Sequence, residues 1–153
     1  MYTENTCWSQ SVAAVCIREG KVLLARHTYG PGIGKLIIPG GYLQENETPE
    51  EAVKREFMEE VGLEIRPLDI IGIRCNTKDG YIVFRAEPVS GEAKPDYNEI
   101  DEVLWLDTAE ALEREDVPFL TKAMIRAAIS GKPGMPSVYY EGRFAPHALY
   151  SVE

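Results

Sequence analysis

One short and closely bounded helix constrains this chain more than any other feature. Thr48 suits a helix N-cap, Pro49 suits the first helical position because its missing N–H costs nothing there, and Glu51 follows at the spacing of a capping box. No glycine or proline then interrupts the sequence until Gly62, where a left-handed residue commonly ends a helix. The sequence therefore predicts a helix over Pro49–Val61.

Three glutamates lie along this helix beside its apolar stripe. Glu56, Glu59 and Glu60 are spaced i, i+3 and i+4, so their carboxylates are neighbours and repel one another. A solvated acidic face is one interpretation of this pattern. The acids border the buried stripe that contains Phe57 and follow a glycine-rich loop, however, so we favour a site for a hard divalent cation with oxygen ligands.

Residues 41–63 resemble the signature box of the Nudix family, G-x5-E-x7-R-E-U-x-E-E-x-G-U, in which U is a bulky aliphatic residue. Its fixed positions are filled by Gly41, Glu47, Arg55, Glu56, Glu59, Glu60 and Gly62. The one departure is Phe57 at a U position, an apolar exchange facing the core that should change packing rather than chemistry. A match of this length is highly specific.

The resemblance implies a metal-dependent active site. The implied ligands of Mg²⁺ or Mn²⁺ are the Gly40 carbonyl and the side chains of Glu56, Glu59 and Glu60. One of these glutamates, or a later one, would act as the base, and our catalytic candidates are Glu56, Glu59 and Glu99. The resemblance also implies that Gly41, Glu47 and Arg55 support the site, with Arg55 and Glu47 pairing to hold the loop against the helix.

Two flanking segments extend the resemblance. Residues 34–41 are similar to the family's G-x-W-x-x-P-G-G segment, with Leu36 in place of the tryptophan. Residues 99–106 alternate as a strand does and are similar to an E-x5-W segment, in which a glutamate helps to bind metal or activates water. Glu99 is the first choice for that glutamate, and Glu102 is the second.

The resemblance implies a pyrophosphohydrolase that acts on a nucleoside diphosphate linked to a group X. The products would be a nucleoside monophosphate and phosphorylated X or pyrophosphate. Arg26 is a candidate phosphate ligand, Tyr81 resembles a substrate-contacting tyrosine of dinucleoside-polyphosphate relatives, and His27 is interpreted as a surface residue. The rival class is a non-catalytic Nudix module that senses a nucleotide ligand, and the complete set of box acids opposes it.

Patterns outside the box predict a mixed α+β fold. Strands are predicted at residues 12–17 and 22–25, and a hairpin at Glu19-Gly20 joins these two. A third strand is predicted at residues 36–38. Two more are predicted at 67–73 and 81–86, joined by a turn at 78–80. Further helices are predicted at 107–116, with Asp107 and Glu110 as a capping box, and at 119–130 after Pro118. By resemblance to the Nudix fold, helices should cover both faces of a mixed sheet in an α/β/α sandwich.

Composition narrows the range of partners. The 153 residues, 44% of them hydrophobic, predict a single domain over residues 1–153. The formal charge of −9 argues against binding a nucleic acid polymer, which normally needs a basic surface, but a small phosphorylated nucleotide needs only local cations. Neither a membrane span nor a secretory signal is apparent, so we expect a cytoplasmic protein without a membrane partner.

Two further features lie outside these motifs. Cys7, Cys16 and Cys75 are odd in number and lack C-x-x-C spacing, so we expect reduced thiols rather than disulfides or a zinc site. The tail from about residue 132 is rich in aromatic residues, namely Tyr139, Tyr140, Phe144 and Tyr150. We expect these side chains to pack on the body of the protein, and packing against a second copy in a homodimer is the alternative.

Overall fold

Strand β1 (Ser9–Arg18) lies at the centre of the fold in the computed structural model, which describes residues 8–139 and 142–152. The interior residues of β1 alternate between two buried clusters, with Val12, Ala14 and Cys16 on one face and Ala13 and Val15 on the other. Because both faces are apolar, both must be covered. Helix α1 (Pro49–Val61) covers the first face and helix α3 (Phe119–Ile129) covers the second, so the predicted α/β/α arrangement is confirmed.

The sheet is mixed, as predicted. Its other strands are β2 (Lys21–His27), β3 (Leu36–Ile37), β4 (Gly40–Tyr42), β5 (Glu64–Cys75), β6 (Asp79–Ser90) and β7 (Ile100–Asp107). Among the described residues the order is β3-β2-β1-β6-β5, with β4 also beside β1 and β7 also beside β2. Only the β1–β6 pair in this part of the chain is parallel. The central strand therefore links every part of the sheet.

Helix α1 has the predicted bounds and both predicted caps. The Glu51 N–H donates to Thr48 Oγ1 at 3.3 Å, and the Thr48 N–H donates to the Glu51 carboxylate at 2.9 Å. Gly62 ends the helix with φ 67°, and its N–H donates to the Met58 carbonyl at 3.1 Å. The predicted capping box and left-handed stop are both confirmed because they depend only on local sequence.

The two predicted hairpins have different outcomes. Glu19 and Gly20 join β1 to β2 with φ values of 50° and 77°, as the first prediction requires. The second turn is at residues 76–78 rather than at 78–80, because the Asn76 side chain accepts hydrogen bonds from the N–H groups of residues 78 and 79. Asp79 and Gly80 therefore belong to β6, and both strands of this hairpin are longer than predicted.

Helix α2 (Thr108–Glu113) is shorter than predicted, and its predicted capping box is wrong. The Asp107 carboxylate makes no cap hydrogen bond and instead lies 3.4 Å from Lys21 Nζ on the neighbouring strand. Helix α3 begins after Pro118, as predicted. None of the helices in the described ranges has the length and apolarity needed to cross a bilayer.

The tail packs on the body in part. A short ribbon of β8 (Ser137–Val138) and β9 (Leu149–Tyr150) brings Tyr150 edge-on to Phe84, with ring centroids 5.6 Å apart. Tyr139 and Phe144 are exposed, so the predicted burial of the aromatic residues fails for these two. Cys7 and Tyr140 lie outside the described residues, whereas Cys16 and Cys75 have free thiols.

Replacing Thr48 with alanine should lower the free energy of unfolding by about 1 kcal/mol, because it leaves the Glu51 N–H without its cap acceptor. Urea unfolding at fixed pH measures the change. Thr77→Ala is the matched control, because Thr77 lies exposed in a turn and its loss should cost no more than about 0.5 kcal/mol. Equal effects of the two substitutions would contradict the capping argument.

Candidate active site

An acid-lined cleft of about 430 Å³ lies among helix α1, strand β4 and the segment that precedes β7. Its volume is within the range of about 300–1,000 Å³ that is typical of small-molecule sites. It is lined by His27, Tyr29, Gly40, Gly41, Tyr42, Gln44, Arg55, Glu56, Glu59, Glu60 and Glu99. The cleft therefore brings together the helix glutamates and a fourth glutamate from a distant segment of the chain.

Two glycines allow the backbone of β4 to lie close to its neighbours. A Cβ atom on Gly41 would lie 2.4 Å from the carboxyl carbon of Glu56, and one on Gly40 would lie 2.1 Å from the Val12 carbonyl oxygen. Real Cβ atoms do not approach other atoms this closely. The glycine pair is therefore required for β4 to pair with β1 while the Glu56 carboxylate rests on the strand.

Arg55 joins the loop to the helix through one guanidinium group. It donates to both carboxylate oxygens of Glu47, to Glu56 at 2.8 Å, to Glu59 at 3.1 Å and to the Tyr42 carbonyl at 3.0 Å. The hydrogen bonds from Arg55 hold the pKa of Glu47 below its usual value. The chain thus brings Arg55 and Glu47 together as the family resemblance predicts.

The carboxylate of Glu60 is the most deeply buried acid of the cleft, with the residue only 4% exposed. Its one hydrogen bond in the described part of the chain comes from the Gly40 N–H at 3.3 Å. Burial, and then the charge of Glu56, raise the pKa of Glu60 to about 8. Burial also raises the pKa of Glu56, although Arg55 opposes this shift. Negative charge in this cleft is therefore costly unless a cation offsets it.

This donor set fits a hard divalent cation, which prefers carboxylate and carbonyl oxygens. Within the described residues, however, no three acidic side chains are close enough together to hold an ion in a preformed site. Arg55 engages Glu56 and Glu59, while the Gly40 N–H engages Glu60. A carboxylate can accept such a hydrogen bond and still bind an ion, but coordination by all three carboxylates requires their side chains to move closer together.

Glu99 is held in place by its backbone. The Asp96 carboxylate accepts hydrogen bonds from the N–H groups of residues 98–100 at 2.9–3.0 Å, and the Thr28 N–H donates to the Glu99 carbonyl at 3.0 Å. The Glu99 charge contributes to the raised pKa of Glu60, after burial and the charge of Glu56. Its carboxylate thus shares the electrostatic environment of the helix acids.

The other sequence-predicted residues lie outside this cleft. Arg26 donates to Glu102 at 3.0 Å, to Asp116 at 3.1 Å and to the Gly34 carbonyl, so phosphate binding by Arg26 would require ion pairs to break. Tyr81 lines an adjacent pocket rather than the acid cleft. Substrate contacts by these two residues remain predictions.

The interpretation of His27 as a surface residue is wrong. His27 lines the cleft, and its Nε2 atom is buried without a hydrogen-bond partner among the described residues. Burial also lowers its pKa. The pairing of β2 with β7 shifts register between Arg26 and His27, and such irregularities redirect side chains. Sequence patterns did not reveal this shift, so neither His27 nor the neighbouring Tyr29 was predicted to line the site.

The NUDIX domain family model matches residues 8–127, and the chain therefore belongs to the Nudix family of hydrolases, which act on pyrophosphate bonds. The chain is 40% identical over 108 residues to a MutT-like protein of Streptomyces ambofaciens. That match covers 69% of this chain and 68% of the relative. Family membership explains why the complete box and the acidic cleft occur together.

Other relatives have more specific names. Over 90 residues the chain is 33% identical to the ADP-ribose pyrophosphatase of Methanocaldococcus jannaschii, covering 55% of this chain and 53% of that protein. Over 115 residues it is 29% identical to the NAD-capped RNA hydrolase NudC of Vibrio parahaemolyticus, covering 74% of this chain. The chain spans only 44% of the length of NudC.

A solved structure supports the fold directly. The NUDIX hydrolase from Nitrosomonas europaea superposes with a TM-score of 0.73 at 27% sequence identity. The superposition covers 86% of this chain and 97% of that one. The predicted Nudix fold is thereby confirmed.

Replacing Glu60 with glutamine should stabilise the metal-free protein at pH 8. The folded protein keeps the Glu60 proton up to about pH 8, whereas the unfolded chain releases it near the ordinary pKa of 4.5. Between pH 4.5 and about pH 8, the folded state therefore binds one more proton than the unfolded chain. The free energy of unfolding of the wild type falls as the pH rises through this range. Glutamine does not ionise. The free energy of unfolding of Glu60→Gln should therefore exceed that of the wild type only slightly at pH 5 and by at least about 1 kcal/mol at pH 8.

Urea unfolding in the presence of a chelator at pH 5 and pH 8 measures this difference. Glu45→Gln is the control for the loss of an exposed carboxylate near the same loop. An advantage of Glu60→Gln that is the same at both pH values would contradict the buried, proton-retaining state of Glu60.

Proposed function

We propose that this protein hydrolyses a nucleoside diphosphate linked to a group X, with Mg²⁺ or Mn²⁺ as cofactor. The proposal rests on one observation. The same cleft is lined by Glu56, Glu59 and Glu60 of helix α1 and by Glu99 from a distant segment of the chain. The products are a nucleoside monophosphate and phosphorylated X, or pyrophosphate when the substrate is a nucleoside triphosphate. Two relatives are named for ADP-ribose and NAD-capped RNA, compounds in which a diphosphate joins a nucleoside to a second group.

The charges of the cleft explain the need for a cation. A diphosphate would meet four carboxylates there, while the positive charge of Arg55 is already shared among its acidic partners. Nudix hydrolases generally use divalent metal ions. Glu56, Glu59, Glu60 and the Gly40 backbone would hold the ion, which supplies the positive charge that offsets the diphosphate.

Glu99 is the best candidate for the base. Arg55 engages Glu56 and Glu59, and burial favours the protonated form of Glu60, whereas no ion pair within the described residues holds Glu99. In the proposed reaction, a water oxygen forms a bond to phosphorus and one water proton passes to the Glu99 carboxylate. The bridging P–O bond breaks, and its electron pair remains on the leaving phosphate.

A nucleotide panel tests the proposal. The protein is incubated with Mg²⁺ or Mn²⁺ and each of several nucleoside triphosphates, nucleotide sugars and dinucleotides, and the products are separated by chromatography. Cleavage of a phosphoanhydride bond with release of a nucleoside monophosphate is expected. Tight binding of one compound without turnover of any would instead favour the nucleotide-sensing module.

Glu59→Gln should fold normally but lose most of its affinity for divalent ions. One charged ligand of the three-acid set is removed, while the volume and the exposed position of the side chain are kept. Titration with Mn²⁺ measures the affinity, and Glu45→Gln serves as a control of the same chemistry outside the cleft. Unchanged affinity in Glu59→Gln would identify the helix acids as a solvated face.

Glu99→Gln should lower the single-turnover rate by about two to four orders of magnitude, the usual contribution of a positioned base. Glu102→Gln is the matched control, because Glu102 pairs with Arg26 outside the cleft and its loss should change the rate little. The rates are measured at saturating Mg²⁺. A slow Glu102 variant would reverse the assignment, and two fast variants would leave the base on helix α1.

A further inference from the structure

A groove of about 680 Å³ lies between helix α3 and strand β5, and it shares no lining residue with the acid cleft. Its volume is within the range of about 300–1,000 Å³ that is typical of small-molecule sites. Most of its lining residues are apolar, including Ile71 and Ile73 of β5, Ala127 of α3 and Met135 of the segment that follows α3. The groove therefore suits a ligand with a hydrocarbon part.

Hydrogen bonds hold both walls of the groove to the sheet. On one side, the backbones of Met135 and Ile70 exchange hydrogen bonds at 2.8 and 3.0 Å. A Cβ on Gly134 would lie 2.3 Å from the Ile70 carbonyl oxygen, so a glycine allows this segment to approach the strand. On the other side, Arg85 donates to the Ala128 carbonyl of α3 at 3.3 Å. The groove is therefore formed before any ligand binds, as small-molecule sites usually are.

The charged side chains that line the groove, Arg126 and Lys132, are both positive. Neither forms an ion pair with an acid in residues 8–139 or 142–152. Six other arginines are ion-paired, namely Arg26, Arg55, Arg66, Arg74, Arg85 and Arg114. The groove thus offers positive charge that the acid-rich chain has not offset.

We propose that the groove between α3 and β5 binds a small amphipathic carboxylate, whose hydrocarbon part contacts the apolar walls and whose carboxylate pairs with Arg126 and Lys132. A guanidinium matches a carboxylate with two parallel hydrogen bonds. The Ser130 hydroxyl, which also lines the groove, already donates to the Ala127 carbonyl at 2.8 Å. Because the groove and the acid cleft share no residue, the proposal is independent of the proposed hydrolysis.

Charge and shape favour this class of ligand over others. A nucleotide would place sugar hydroxyl groups and a multiply charged phosphate against aliphatic walls. A cationic ligand would be repelled by Arg126 and Lys132. An extended peptide would need a continuous open edge on β5, but Met135 already pairs with Ile70 there. The groove therefore fits a compact ligand better than an added strand.

Binding of straight-chain carboxylates tests the proposal. Hexanoate, octanoate and octan-1-ol are titrated into the isotope-labelled chain below the concentrations at which they aggregate, and dissociation constants and chemical-shift changes are measured by NMR. We expect saturable binding with the largest shifts at Ile73, Ala127 and Met135. Octanoate should bind about tenfold more tightly than hexanoate, because two further CH₂ groups are buried. It should bind at least about threefold more tightly than octan-1-ol, which carries no charge.

Substitutions in the groove separate the charged contact from the apolar one. Arg126→Gln and Lys132→Gln should each weaken octanoate binding at least about threefold and leave octan-1-ol binding unchanged. Lys122→Gln is the matched control, because Lys122 lies one turn before Arg126 on the same helix and does not line the groove. Ile73→Thr keeps a β-branched residue in the strand but reduces the apolar wall, so it should weaken both ligands about threefold. Thermal unfolding verifies that each variant is folded.

Several outcomes would overturn the proposal. Non-saturable binding, or shifts centred outside the groove, would show that octanoate only adheres to apolar surface. Equal effects of Lys122→Gln and Arg126→Gln on octanoate binding would remove the charged contact. Sedimentation of the wild type and of Ile73→Thr gives the oligomeric state. A dimer that this substitution dissociates, together with no binding of octanoate, would identify the groove as an interface between two copies instead.

Discussion

The interactions of one guanidinium group determine the shape of the acidic cleft. Arg55 contacts the loop through Glu47 and the Tyr42 carbonyl, and contacts the helix through Glu56 and Glu59. A guanidinium suits this role because its planar donors can serve several acceptors at once, whereas the flexible ammonium of lysine has only three. Without Arg55, neighbouring carboxylates would repel one another, and the hydrogen bond from Gly40 to Glu60 would be left to attach β4 to α1. The contacts among the loop, strand β4 and helix α1 therefore depend in part on the positive charge of Arg55.

That arrangement leaves electrostatic strain in the part of the cleft that Arg55 does not reach. Glu60 is buried against the Gly40 N–H, near Glu56 and without a cation partner among the described residues. A fold optimised only for stability would place an apolar side chain there. Retaining an acid at this position is the kind of local cost that functional sites incur. The same close contact between loop and helix involves Gly41, because a Cβ there would displace the Glu56 carboxylate from its present position.

Sequence predictions were accurate where they depended on interactions within one short segment, and they failed where contacts between distant segments decided the structure. The bounds of α1 were predicted fully because its caps lie within the helix and its adjacent residues. The cap of α2 was wrong because Asp107 interacts with Lys21 on another strand. His27 was missed because a register shift redirects it. The box indicated the acids of the site, whereas the walls that would contact the rest of a substrate depend on strand pairing.

The acid cleft and the smaller adjacent pocket, which is lined in part by Tyr42, Arg74, Asp79 and Tyr81, differ in how their charges are balanced. In the acid cleft, carboxylates outnumber the cationic side chains that line it, so a bound anion would need a cation to offset the negative charge. In the adjacent pocket, Arg74 and Asp79 form an ion pair, so their charges offset one another and this pocket does not share the excess of negative charge in the acid cleft.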